Sequence, residues 1–177
     1  RRGTGFAQVA LVVAGPEGNH FAAAARARGQ HLVMVGRDPA FGETGIAILS
    51  ETIEGAAQRV RLRAFGRDRE VLIPLLGRFQ VENALAAAGL AVGCGTDPDT
   101  ALAALETLEG AKGRLELVGA KDGAPVVVDY AHKPGALETV LEAARPFAAR
   151  KLVVVVGCGG DRDPGKRPMM GRIAVDK

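Results

Sequence analysis

"VVVDYAHKPGALETVLEAARP", residues 126–146, runs from an apolar strand pattern through a polar turn into a helix pattern. A plain strand-to-helix connection needs only a turn residue and an N-cap. Here Asp129, Tyr130, His132 and Lys133 occupy the turn, four functional groups in five positions. Open α/β sheets bind ligands outside the carboxyl ends of their strands, so this crowding marks a candidate site.

Working outward, "KLVVVVG" (151–157) reads as a second apolar strand and "PMMGRIAV" (168–175) as the beginning of a helix. That is the texture of a parallel α/β sheet. Upstream, the link "GAKGR" (110–114) separates this pattern from a different one and places a domain boundary near residue 112. Residues 1–112 then form one domain and 113–177 another, with Gly110 and Gly113 as a candidate hinge. Two fully apolar parallel strands need neighbours at their edges and helices on both faces. Roughly 65 residues supply only those two strands and one and a half helices, too little to bury such a sheet. The expectation is the first half of a doubly wound domain, in a chain that is a piece of something longer.

The earlier part opens with "QVALVVAG" (8–15), a strand buried on both faces, and "FAAAARARG" (21–29), an alanine-rich helix stopped by Gly29. "HLVMVG" (31–36) follows as a strand, completing a β-α-β unit. From Gly45 to Leu76 short alternating stretches predict an antiparallel meander, with Gly66–Arg67–Asp68 as one turn. "VENALAAAGLAVGCG" (81–95) predicts a helix closed by Gly95. "TDPDTALAALETLEG" (96–110) predicts another, capped by Thr96 or Asp97, with Pro98 in its first turn and Gly110 as its stop.

Composition narrows the classes. The 177 residues are 47% hydrophobic and 24% charged, ordinary for a globular protein, with a net charge of +3. No apolar run approaches the ~20 residues that cross a bilayer, and the first residues are no signal peptide. No membrane partner and a cytoplasmic setting are expected. One tyrosine and no tryptophan leave little for base stacking, so no nucleic-acid partner is expected. Cys94 and Cys158 make no disulfide framework, and no His/Cys/Asp/Glu set has metal-ligand spacing. No Ser–His–Asp or Cys–His arrangement is present, so no catalytic residue is assigned within the chain.

A second dense loop, "GCGGDRDPGKRP" (157–168), follows the second strand of the later half. Its glycines permit close backbone approach, and Arg162, Lys166 and Arg167 are suited to a carboxylate or phosphate. Within it "GDRDPGKR" approaches the phosphate-loop spacing G-x-x-x-x-G-K-[ST]. The match fails: Arg167 stands where the Mg²⁺-binding hydroxyl belongs, and Asp161, Asp163 and Pro164 oppose a bound phosphate. A glycine-rich turn with solvated charges is the plain alternative. In the first loop, Asp129 is suited to accept two hydroxyl hydrogens of a ribose or to orient a cation. Asn83 and Arg114, taken singly, are an ordinary helix residue and an ordinary surface charge.

In this order, "LLGRFQVENALAAAGLA" (75–91), "LEGAKGRLELV" (108–118), "VVVDYAHKPGALETVL" (126–141) and "VVVVGCGGDRDPGKRPMMG" (153–171) resemble the Mur ligases of peptidoglycan synthesis. The "GDRDPGKRP" form is similar to the branch that adds meso-diaminopimelate to UDP-N-acetylmuramoyl-L-alanyl-D-glutamate. The resemblance implies an ATP- and Mg²⁺-dependent ligase that phosphorylates a carboxylate and lets an amine attack the acyl phosphate. It implies the later part of a central ATPase domain joined to the first half of a Rossmann-like C-terminal domain. By the motifs, Asn83 would lie on the adenine side of ATP. Arg114 and Asp129 would reach its ribose or phosphates, with His132 and Lys133 nearby. Arg162 would bind a carboxylate of the incoming amino acid, beside Lys166 and Arg167.

The family's phosphate loop, metal-binding acid and carbamylated lysine would precede residue 1, and its Asp-Asn-Pro-Arg motif would follow residue 177. These missing parts of the same polypeptide are the chain's expected partners, and the fragment alone would be inactive. Gly135 stands where an Asp is usual, and "VAGPEGNH" (13–20) departs from the family's usual turn. Two other readings stay open. One is another amide ligase of the superfamily, of the folylpolyglutamate or cyanophycin synthetase kind. The other is a non-catalytic nucleotide- or anion-binding domain.

Overall fold

The protein was analysed as a computed structural model, which describes residues 9–15, 18–159 and 163–177. Its contacts divide it into two compact units. The first holds the described residues up to Pro74 together with Gln80–Leu108; the second holds Leu75–Phe79 and Glu109–Lys177.

In the first unit, strand β1 (Val9–Val13), helix α1 (Gly18–Ala27) and strand β2 (His31–Gly36) form the expected β-α-β unit. The two strands are parallel, with Val9 opposite His31. Helix α1 ends as the sequence predicts. Gly29 takes φ +66°, and the Gln30 N–H reaches back to the Ala25 carbonyl at 3.1 Å. That is the left-handed C-terminal turn for which glycine is best suited.

The meander does not form a sheet of its own. Strand β3 (Ile46–Glu54) lies parallel to β2, and β4 (Ala57–Ala64) and β5 (Arg67–Ile73) follow antiparallel. All five strands make one mixed sheet in the order β1-β2-β3-β4-β5. Strand β4 alternates cleanly. Gln58, Val60, Leu62 and Ala64 are buried, while Arg59, Arg61 and Arg63 face outward. On that outer face Arg59 pairs with Glu54 and Glu70, and Arg63 with Glu43 and Asp68. Exposed pairs of this kind add little stability but keep the outer face charged.

One turn differs from expectation. Arg67 and Asp68 already belong to β5, and the turn is Phe65–Gly66, with φ +49° and +78°. A two-residue hairpin loop of the type that best matches the strands' twist here has positive φ at both positions. Phe65 accepts a strained conformation, at a cost of about 1–2 kcal/mol. Its N–H bonds the Gly45 carbonyl at 2.9 Å, and the Gly66 N–H bonds Gly42 at 2.7 Å.

Helix α2 (Arg78–Gly93) covers the parallel end of the sheet, closed beyond its end by Gly95 at φ +105°. Helix α3 (Pro98–Ala103) is shorter than the sequence suggests and passes into a 3₁₀ turn, Ala104–Thr107, before Gly110 is reached. The Asp97 side chain caps α3, accepting from the Thr100 N–H at 2.9 Å and from its hydroxyl at 3.0 Å. Those bonds hold the Asp97 carboxyl below the ordinary aspartate range.

In the second unit, two strand expectations are corrected. Strand β6 (Glu116–Lys121) is new, and β7 (Ala124–Val128) pairs with it antiparallel, not in a parallel ladder. The turn between them is Asp122–Gly123, φ +51° and +80°. Asp-Gly is among the strongest short hairpin signals, and it overrides the reading of the valines as a doubly buried strand. Residues 151–157, expected as a strand, find no strand neighbour among the described residues. Their side chains still alternate. Leu152 and Val154 pack inward, while Val153 and Val155 are 80% and 98% exposed. Helix α4 (Pro134–Ala144) and helix α5 (Lys166–Asp176) close on this segment, with Leu137, Leu141 and Met170 as their buried core. The chain is a mixed α/β protein, with helices packed on its five-stranded sheet.

Candidate functional site

In the first unit the glycines of α2 set where Asn83 stands. A Cβ on Gly93 would touch Val9, at the start of β1. One turn earlier, a Cβ on Gly89 would touch Leu11, Val33 and Val35 at 3.0–3.3 Å. The helix therefore lies directly on the sheet and runs antiparallel to β1 and β2. Its N-terminal half comes to the strands' carboxyl ends. An ion pair agrees: Arg37, just past the end of β2, lies 3.6 Å from Glu82 and 3.0 Å from Glu51. Asn83 is the next residue, exposed, its amide 3.3 Å from the Gln80 side-chain oxygen. It sits at the edge where open α/β sheets accept ligands.

In the second unit the structure brings Arg114, Asp129, Tyr130, His132 and Lys166 together. Asp129 follows β7, half-buried, and both its oxygens are engaged. Oδ2 accepts from the Leu115 N–H at 2.9 Å, and Oδ1 accepts from the Ala131 N–H at 2.8 Å. Its carboxylate thus anchors two backbone segments, leaving a second lone pair on each oxygen for a ligand hydroxyl. The Tyr130 N–H bonds the Gly113 carbonyl at 2.8 Å. The Arg114 guanidinium carbon stands 5.9 Å from the centre of the Tyr130 ring, a cation–π distance. The His132 ring lies 5.0 Å from the same ring, with Nδ1 3.1 Å from the Tyr130 carbonyl oxygen.

Lys133 is exposed at the N-cap of α4 and makes no side-chain cap bond. Lys166 opens α5 and directs its Nζ to the His132 carbonyl at 3.5 Å, which draws the two glycine- and charge-rich loops together. Arg167 is exposed beside it. Arg162 lies outside the described residues. Sequence reasoning missed Glu116, whose Oε2 accepts from the Gly113 N–H at 2.7 Å. In the sequence nothing sets that carboxylate apart from a solvated charge. Among the described residues, no group of three or more His, Cys, Asp or Glu gathers as a metal site. No helix among them is long and apolar enough to cross a membrane.

Comparison with known proteins bears on the family of the chain. Residues 113–176 match the family "Mur ligase, glutamate ligase domain". The chain is 54% identical, over 153 residues, to the UDP-N-acetylmuramoyl-L-alanyl-D-glutamate–2,6-diaminopimelate ligase of Bradyrhizobium diazoefficiens. That alignment covers 86% of this chain and 32% of the relative. A solved structure of a ligase with the same name superposes with a TM-score of 0.70 at 30% identity, covering 95% of this chain and 34% of that one. The folylpolyglutamate synthetase of Lactobacillus casei superposes at 0.68 with 18% identity, covering 93% and 40%, and so shares the fold. The chain belongs to the Mur ligase family. It spans about a third of the length of the curated relatives it matches, and in those relatives the name specifies ligation of diaminopimelate.

Proposed function

We propose that this chain forms part of an ATP-dependent ligase that joins meso-diaminopimelate to UDP-N-acetylmuramoyl-L-alanyl-D-glutamate. The observation that carries the reading is the 54% identity over 153 residues, 86% of this chain. The residues of the second unit suit a nucleotide. Arg114 and Lys133 offer positive charge to phosphates, and the free lone pairs of Asp129 can receive ribose hydroxyls. Asn83 presents an exposed amide, able both to donate to and to accept from the edge of a purine. ATP supplies the phosphoryl group that turns a carboxylate into an acylating agent. The chain's own residues bind and orient: Arg114 holds charge, His132 and Lys133 flank it, and Asp129 fixes the turn. Lys166, Arg167 and Arg162 are assigned to the carboxylates of the incoming amino acid. The described residues gather no metal-binding set, so no ligand is assigned here to Mg²⁺.

The test is phosphate release with ATP, Mg²⁺, the UDP-muramoyl dipeptide and meso-diaminopimelate. A polypeptide of the relatives' full length, with this chain in its own place, is expected to release phosphate only when both dipeptide and diaminopimelate are present. The 177-residue chain alone is expected to stay at background. Release that ignores the amino acid, or turnover equally good with lysine, would overturn the assignment.

A further inference from the structure

The turn Gly113–Arg114–Leu115 is held in an unfavourable shape. Gly113 has φ +69°, as a glycine can, but Leu115 has φ +46° and carries a buried side chain. A leucine does not take a left-handed conformation unless its surroundings impose it. Three hydrogen bonds impose it here. The Leu115 N–H is taken by Asp129 at 2.9 Å, the Gly113 carbonyl by the Tyr130 N–H at 2.8 Å, and the Gly113 N–H by Glu116 at 2.7 Å. The Leu115 side chain is fixed as well, its Cδ1 only 2.7 Å from where a Cβ on Gly77 would stand. Between two anchored residues, Arg114 alone points outward, its guanidinium over the Tyr130 ring.

Two of the three bonds end on carboxylates from different places in the chain. Charged acceptors bind an N–H more strongly than neutral ones. Asp129 is already assigned to the nucleotide, whereas nothing gives Glu116 a role. We propose that Glu116 is a positioning residue: by holding the Gly113 N–H it fixes the turn that presents Arg114 to the nucleotide's phosphates. The proposal rests on the ligase reading for its consequence, but not for its geometry. Arg114 needs this device because it has no regular element of its own. It stands between a glycine link and the first residue of β6, where an unrestrained arginine would lose much rotamer and backbone entropy on binding.

The experiment has two arms. On the 177-residue chain, amide hydrogen exchange at Gly113 and tryptic cleavage after Arg114, located by mass, report the turn itself. Glu116→Ala is expected to raise both by about ten-fold, the loss of one charge-assisted bond, while cleavage after Arg28 stays unchanged. Glu116→Gln keeps an acceptor oxygen and is expected to restore most of the protection. If Glu116→Ala fails to fold, Glu116→Asp, one methylene short, serves the same comparison.

In the full-length polypeptide, Glu116→Ala is expected to raise the ATP KM about ten-fold and leave the amino-acid KM within two-fold. In an Arg114→Ala background the same substitution is expected to add less than two-fold, because Glu116 acts through Arg114. Unchanged exchange and cleavage would overturn the turn-holding role. Fully additive effects, or an unmoved ATP KM, would overturn the positioning role. A wild-type polypeptide that consumes no ATP would sink the ligase reading, while the first arm still decides the turn.

Discussion

Replacing Leu141 with alanine takes out the middle of the second unit's core. Leu141 is 4% exposed and lies with Leu137 and Met170, themselves 3% and 1% exposed. Leu152, Val154, Cys158 and Ile173 pack around these three while remaining partly open. Truncating a buried leucine costs roughly 2–5 kcal/mol, less where the walls can close on the cavity. Here the wall formed by residues 152–158 has no strand ladder among the described residues to hold it back, so partial collapse is available. The expected loss is therefore about 2–3 kcal/mol. A unit this small has a net stability of order 5 kcal/mol, so the substitution removes about half of it. Amide hydrogen exchange on the whole chain resolves the effect by region. Protected amides of α4 and α5 are expected to exchange roughly 30- to 150-fold faster, while those of β3 and β4 keep their rates. Acceleration below three-fold in the helices would show that the Leu137–Leu141–Met170 contact does not carry the unit. Equal acceleration in β3 and β4 would show that the two units do not unfold separately.

Gly171 lies inside α5, and a Cβ there would meet nothing within 4 Å. Gly171→Ala is expected to stabilise by about 0.5–1 kcal/mol, read as a raised urea midpoint; a fall in the midpoint would mean that the helix needs the glycine. The Asp97 carboxyl is depressed by its bonds to Thr100, so its contribution is present above the unfolded value and is lost as pH falls through the folded one. The stability difference between the protein and Asp97→Asn is expected to shrink as pH falls below ~4, the ordinary aspartate range, and a difference that widens with acid would contradict the cap.

What the sequence allowed was local chemistry of high specificity. Gly29, Gly95 and Pro98 marked helix ends because the backbone geometry there favours those residues and few others. The alanines and leucines of residues 81–91 marked α2 for the same kind of reason, a repeated spacing. Where the sequence misled, two rules competed at the same residues. The valines at 126–128 suit a doubly buried parallel strand, but Asp122–Gly123 folds them back on Glu116–Lys121 as a hairpin. The valines at 153–156 carry strand alternation without, among the described residues, the partner that makes a strand. The polar loop after β7 was legible because functional groups outnumbered structural needs. Glu116 was not, since one carboxylate at the start of a strand resembles any solvated charge until its partner is seen. Asp129 shows the reverse: a residue singled out for a ligand also holds the turn that carries Arg114.

The core of Leu137, Leu141, Leu152, Val154, Cys158, Met170 and Ile173 draws all its members from one short stretch of chain. Its contacts have low contact order, and closing such small loops costs little chain entropy. The inward face of residues 152–158 packs against α4 and α5 although no β-ladder among the described residues runs along that segment. Hydrophobic condensation here needs no prior sheet: the helices can set the line of the chain first, and backbone pairing can follow along a track already laid.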